Sequence, residues 1–225
     1  MGGSRALRPW GRVVGGDLLT QQLADGPLAA WPMQETSGTT MLDASGNGRH
    51  GTYNNVTLAQ APLIHGSGYS AAFSGSSARV ADAAWMDASA WSVEVVASST
   101  DLAGARRYLE RDVSGNRAWR LMTTGGVASG SGWNSLGTGY TLSGGAALDV
   151  NTVYHLALVW DVGWLRHYVN GAVRAQVATT GTGANVTAPI DIGLGFTGRL
   201  SHAAFYDRAL SADDILRHAQ VAGLA

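Results

Sequence analysis

Residues 153–177 read VYHLALVWDVGWLRHYVNGAVRAQV. The first and middle runs of this stretch, HLALVWD and WLRHYV, read as the two strands of a hairpin. In its middle run Leu165, His167 and Val169 share one face, and Trp164, Arg166 and Tyr168 share the other. Val162-Gly163 offers a bend. Asn170-Gly171, a pair that accepts positive φ at both positions, reads as a type I′ turn. The stretch therefore predicts a three-strand antiparallel meander.

The same pattern continues outward in both directions. Strand-forming runs fall at 69–73, 78–80, 91–97, 108–111, 118–123, 140–142, 190–192 and 198–206, separated by glycine, asparagine and serine clusters. A run at 28–35 reads as a first strand, with Pro32 marking an edge or bulge. The 31 glycines show no fixed period, so they signal turns rather than a fibrous repeat. Strands alternating with amphipathic helices, the mark of a parallel α/β sheet, are missing from the pattern. The expected fold is all-β: a two-sheet antiparallel jelly-roll sandwich with one short helix near each end. The first helix, 17–24, is capped by Asp17, with Leu18, Leu19 and Leu23 on one face. The second follows Ser211, whose capping box is completed by Asp214, and turns Ile215 and Ala219 inward. No linker divides two cores, so residues 17–225 read as one domain. Residues 1–16 are rich in glycine and arginine without periodicity and read as an extended arm, with Arg8, Trp10 and Arg12 as its docking groups.

Composition narrows the function. The chain has 225 residues and no cysteine, which removes disulfides, thiolate zinc sites and a cysteine nucleophile together. A formal net charge of −1 leaves no basic excess for a phosphate backbone, so nucleic acid is not an expected partner. No run approaches the roughly 18 apolar residues of a membrane span, and the first residues lack the apolar core of a secretion signal. All 15 basic residues are arginine, the mark of high-GC coding and of actinobacteria or their phages as hosts.

Three blocks resemble laminin G-like, concanavalin A-like jelly-roll domains. Residues 29–53, AAWPMQETSGTTMLDASGNGRHGTY, match the opening strand, the E-T-S-G-T turn and the D-x-S-G-N-G loop. Residues 153–171 match the central meander, and 196–215, FTGRLSHAAFYDRALSADDI, match the closing strand and helix. They fall in the family's order over about residues 27–218. The resemblance implies the fold. It does not choose a function, because the fold carries lectins, glycosidases, adhesion modules and virion proteins.

The candidate chemistry follows. Glucanases of the superfamily carry their carboxylates as E-x-D-x-x-E on one strand, and no such run occurs here. Glu94, flanked by valines, is expected at an edge or facing solvent, and Glu35 is expected to brace its turn. His155 and His167 are expected as satisfied or half-buried strand residues. Calcium is the cofactor the resemblance admits, at Asp43, although Ser201-His202 stands where the family often has Asp-Glu; the competing role for Asp43 is a loop cap. For a glycan, Trp133 and Asn134 lead, because a tryptophan among glycines and serines is hard to bury; Trp85 and Trp164 follow. Trp31, Trp91 and Trp160 are assigned to the core.

Three readings stand. The preferred one is a non-catalytic bacteriophage virion protein, a minor tail or capsid-surface component. It would touch other virion proteins through its arm, and a host cell-surface glycan through its domain. The resemblance points there because such domains with an L-A-D-G-P entry are common in phages. A homo-oligomer is compatible with this. The alternatives are a free, extracellular lectin-like module and a degenerate glycoside hydrolase.

Overall fold

Alternation forces one face of each strand to find a covering layer, and the computed structural model, which describes residues 17–225, shows how this is done. The elements are α1 (Leu18–Ala24), β1 (Ala29–Trp31), β2 (Thr40–Met41), β3 (Gly51–Asn54), β4 (Thr57–Gln60), β5 (Ser70–Ser74), β6 (Ser77–Val80), β7 (Trp91–Ser99) and β8 (Ala105–Val113). They continue with β9 (Asn116–Thr124), β10 (Val127–Trp133), β11 (Gly139–Leu142), β12 (Val153–Asp161), β13 (Trp164–Val169), β14 (Ala172–Ala178), β15 (Ile190–Ile192), β16 (Thr197–Tyr206) and α2 (Ala212–Val221). A single 3₁₀ turn, Ala84–Met86, precedes β7.

One sheet runs β14-β13-β12-β7-β16-β5-β4, with β1 added against β16. The other runs β11-β10-β9-β8-β15-β6-β3-β2. All the pairings are antiparallel, and the two sheets stack as a jelly-roll sandwich. The meander at 153–177 forms as its sequence predicts, with Asn170 and Gly171 at φ 50 and 79. Pro32 follows directly on β1, which is only three residues long.

The core between the sheets takes alternate residues: Trp91, Val93, Val95 and Ala97 from β7, and Leu156, Leu158 and Trp160 from β12. Trp91 stacks on Trp160 at 6.1 Å and lies 5.8 Å from Trp119, so the assignment of Trp31, Trp91 and Trp160 to the core holds. Facing this wall, β10 presents glycines. A Cβ on Gly130 would stand 2.8 Å from Leu158, and one on Gly132 would stand 2.9 Å from Trp160. These glycines make room for the large side chains opposite. Residues 127–133 form a strand, one that is not among the runs read from the sequence.

The far face of the first sheet is covered as well. Helices α1 and α2 pack on it, burying Ala157, Val159, Tyr206 and Ile215 in one apolar cluster and Leu18, Val96 and Ala222 in another. In α1 the inward positions are Leu18 and Gln22, while Leu23 is exposed; the expected leucine face is replaced by an i, i+4 pair carrying an amide. Ser211 and Asp214 make the capping box of α2, and Ile215 and Ala219 are buried. Glu94 corrects its expectation: it lies in β7, between β12 and β16, and is fully buried, because the helices roof the face it points to. The arm residues Arg8, Trp10 and Arg12 lie outside the described residues.

Candidate ligand-binding groove

At one tip of the second sheet the β8–β9 turn, the β10–β11 turn and the long β14–β15 connection converge. The connection is fastened there by backbone bonds: Ser135 N to Thr182 O at 2.9 Å, Ala184 N to Trp133 O at 3.0 Å, and Gly183 N to Ser89 O at 2.8 Å. They enclose a cavity of ≈ 380 Å³ bordered by Arg117, Trp133, Ser135, Asn185 and Val186. Trp133, half-buried at the end of β10, lies across Gly139 of β11: a Cβ there would stand 2.6 Å from the indole Nε1. The guanidinium groups of Arg117 and Arg120 lie 5.7 and 5.5 Å from its ring centroid. An aromatic platform beside polar groups in a concavity suits a polyhydroxylated ligand, which offers apolar C–H faces and hydroxyl donors together.

Trp133 and Asn134 come together at this cavity, with different duties. The Asn134 carboxamide accepts from Leu136 N (3.0 Å) and Thr138 N (2.8 Å) and donates to Thr180 O (2.9 Å). It braces the turn that carries the platform. Trp85 does not line the cavity; it packs edge-on against Phe205 at 5.7 Å, with Arg49 over its ring at 4.3 Å. Trp164 is also elsewhere, 38% exposed at the start of β13 beside Arg166.

Sequence reasoning did not single out Arg117 or Asn185, which border the cavity. It also passed over Glu110-Arg111-Asp112, two carboxylates at i, i+2 on β8, because it sought the full six-residue run. Arg107 donates to Glu110 at 3.0 Å, and Arg120 Nε stands 2.9 Å from Asp112 and 3.7 Å from Glu110. Burial raises the Glu110 pKa, and the Asp112 charge adds to that against the two arginines. Neither carboxylate borders the cavity.

Two other clusters bear on metals. Asp43 is buried, and both its oxygens are in use: Oδ1 accepts from Ala30 N (3.0 Å) and Ser45 N (2.9 Å), Oδ2 from Ser45 Oγ (2.8 Å) and Arg49 N (2.9 Å). Burial alone would raise its pKa; the hydrogen bonds from Ala30, Ser45 and Arg49 outweigh that and lower it. Glu35 braces its turn as expected, accepting from Leu42 N (2.8 Å) and Tyr53 Oη (2.7 Å).

Among the described residues Glu94, His155 and His218 place ligand-capable atoms within 4.8 Å of one another. Glu94 Oε2 meets His155 Nε2 at 2.8 Å and His218 Nδ1 at 2.9 Å, while Oε1 accepts from Gln22 Nε2 (2.9 Å) and Tyr206 Oη (2.8 Å). All four contacts make sense with protons on the partners, so hydrogen bonding fills the carboxylate without an ion. Of the two strand histidines, His155 is satisfied at Nε2. His167 is buried with neither ring nitrogen bonded, and burial drops its pKa to about 3.

A two-sheet antiparallel sandwich roofed by two short helices, with an aromatic-floored cavity among the loops of one tip, defines the class: a jelly-roll domain of the lectin-like kind. The family model described as Concanavalin A-like lectin/glucanases superfamily (Laminin_G_3) matches residues 50–216, and the chain belongs to that superfamily. No curated protein matches it in sequence. Among solved structures it is similar to the binding domain of Paraclostridial Mosquitocidal Protein 1, at 14% identity and TM-score 0.70, over 88% of this chain and 52% of that one. It is also similar to the botulinum neurotoxin serotype D ligand binding domain in complex with N-acetylneuraminic acid, at 14% identity and TM-score 0.68, over 91% and 52%. The chain thus spans about half the length of these toxin domains. A third neighbour is domain 4 of AbnA, an extracellular arabinanase from Geobacillus stearothermophilus, in complex with arabinotriose. There the identity is 17% and the TM-score 0.68, over 86% of this chain and 98% of that one.

Proposed function

We propose that this protein is a non-catalytic carbohydrate-binding domain that holds a glycan in the groove at Trp133, and that it works on the surface of a bacteriophage particle. The observation that carries the first half is the indole of Trp133, laid across Gly139 at the border of a cavity that also offers Arg117 and Asn185. The arabinotriose complex of the AbnA domain supports the reading, since that domain matches over nearly its whole length. Hydrolysis needs two carboxyl groups flanking one sugar bond. Glu110 and Asp112 are held by arginines away from the cavity, and Asp82 and Asp87, which line the adjoining cavity, are both tied to the one Arg111 guanidinium, at 3.0 and 2.9 Å; neither pair is free to work as acid and base, which disfavours the hydrolase alternative.

A glycan array followed by titration calorimetry tests the binding. Trp133→Ala is expected to abolish the signal while circular dichroism stays unchanged; a bound glycan indifferent to that substitution sinks the reading. The particle location rests on the arginine-only composition and the resemblance described above. Deleting residues 1–16 is expected to block incorporation into particles, and incorporation at the normal level would favour the free extracellular lectin.

A further inference from the structure

The Trp133 cavity is half of a longer groove. A second cavity, also ≈ 380 Å³, is lined by Asp82, Asp87, Asn116, Asn185, Val186 and Thr187. Asn185 and Val186 border both, so the two are neighbouring compartments divided by one pair of residues. Asn116 and Asn185 are exposed.

Arg111 lies behind the lining of the second compartment and holds three of its residues, Asp82, Asp87 and Val186. Its side chain is only 1% exposed. It donates to the carbonyls of Met86 (2.8 Å), Ala188 (3.2 Å) and Val186, and pairs with Asp82 at 3.0 Å and Asp87 at 2.9 Å. One guanidinium thus ties β8 to the 3₁₀ turn and to the β14–β15 connection. A buried arginine with its donors used is costly to move, so the compartment is preformed. The two aspartates keep about a third of their side chains exposed, 32% and 31%. Two carboxylates face one guanidinium, and this end of the groove is net negative. At the other end the charged lining group is Arg117, 3.9 Å from its partner Asp112. The groove is therefore polarised: an aromatic platform with a cation at one end, hydrogen-bond acceptors at the other.

We infer that the groove takes an oligosaccharide of at least two residues, one stacked at Trp133 and the next read at Asp82 and Asp87 through hydroxyl or amino donors. This rests on the carbohydrate reading of the Trp133 cavity and names its ligand class. An acidic sugar fits beside Arg117. At the aspartate end its carboxylate would meet like charge.

The test uses the full chain and an array carrying neutral, amino and uronic acid glycans, each as one, two and three residues. Charge-assisted hydrogen bonds at a second subsite should tighten binding about tenfold from one residue to two. Asp87→Asn should remove most of that gain and leave single-residue binding intact. Because Asp87 pairs with Arg111, Asn116→Ala serves as the second variant, at an exposed side chain outside that network, with the same expected pattern. Equal affinity for one and two residues, or variants that weaken every length alike, overturns the inference. So does an equal length gain for the uronic acid series. If no glycan binds, or binding ignores Trp133→Ala, the failure lies with the carbohydrate reading itself.

Discussion

His218 Nδ1 stands 2.9 Å from Glu94 Oε2, and both side chains are fully buried. The other ring nitrogen, Nε2, stands 2.8 Å from Asp25 Oδ2. With a carboxylate at each nitrogen the ring must donate twice, so it is an imidazolium. It joins three distant segments: Asp25 after α1, Glu94 in the middle of β7, and its own helix α2. Tyr206, His155 and Gln22 complete the shell around Glu94, and Arg217 approaches Asp25 at 3.5 Å. This ion chain clamps the helical roof to the sheet.

Stability should peak near pH 6.5 and fall on both sides. Glu94 and Asp25 hold the His218 pKa up to about 8 against the opposing effect of burial. A group raised in the folded state contributes fully below its unfolded value of about 6.5, and the contribution is lost as pH rises through 8. The amount is ~2 kcal/mol. His167 and His202 act with the opposite sign, since burial drops them to about 3 and about 4. Below pH 6.5 the unfolded chain binds protons that these two refuse, and each costs about 1.4 kcal/mol per pH unit until its folded pKa is reached. Thermal midpoints from pH 4 to 9 check this. His218→Asn should flatten the alkaline limb and leave the acid limb; an unchanged alkaline limb counts against the clamp.

Glu94→Gln should destabilise by ~3–5 kcal/mol, the usual cost of breaking one partner out of a buried ion pair. The imidazolium would keep Asp25 but face a neutral amide at Nδ1. Urea unfolding measures the loss, and glycan affinity should not follow it, because Glu94 is no part of the groove. Equimolar zinc should leave the wild-type midpoint unmoved, as protons already satisfy Glu94. A zinc-dependent rise that His218→Asn removes would show that the cluster exchanges those protons for a metal.

Asp43→Ala should cost roughly 2–4 kcal/mol, since it strips the acceptor from three backbone amides and a hydroxyl around one loop. Millimolar calcium should leave the melting curve of the wild type in place, because an ion would have to displace those donors. A calcium-dependent increase of several degrees, absent in Asp43→Ala, would contradict this and restore the ion to the loop.

Local signals in the sequence carried the sandwich. The meander was legible because its strand-forming runs and Asn-Gly both act within a few residues. Strand β10 was not, because Gly130 and Gly132 earn their place from Leu158 and Trp160 on the other sheet, and nothing in SGSGW announces those neighbours. Glu94 was misplaced for the same reason: the roof over it comes from segments 72 and 124 residues away in sequence, at Gln22 and His218. Arg111 looks like any strand arginine until the loops that supply its five acceptors are folded around it. Trp133 was singled out on local composition, its glycine and serine neighbours, and it lies half-buried at the border of the cavity.

Gly139 gives the sharpest separation of platform from scaffold. Its lack of a side chain is what lets the Trp133 indole lie flat on β11, since a Cβ would stand 2.6 Å from Nε1. The atom it would strike belongs to the far part of a side chain at the sheet surface, so the ring can swing aside without disturbing the core. Gly139→Ala should therefore cost under about 1 kcal/mol in stability, within the range of substitutions away from buried features. The tilted ring should nevertheless lose much of its contact with a stacked sugar, and affinity should drop about five- to tenfold. Trp133→Ala, which removes an aromatic anchor outright, should lose at least ~2 kcal/mol of binding, or thirtyfold. Matched thermal melts and calorimetric titrations of the three proteins decide it. If Gly139→Ala binds as tightly as the parent while Trp133→Ala does not, the indole works from another pose, and the sugar approaches it by its edge.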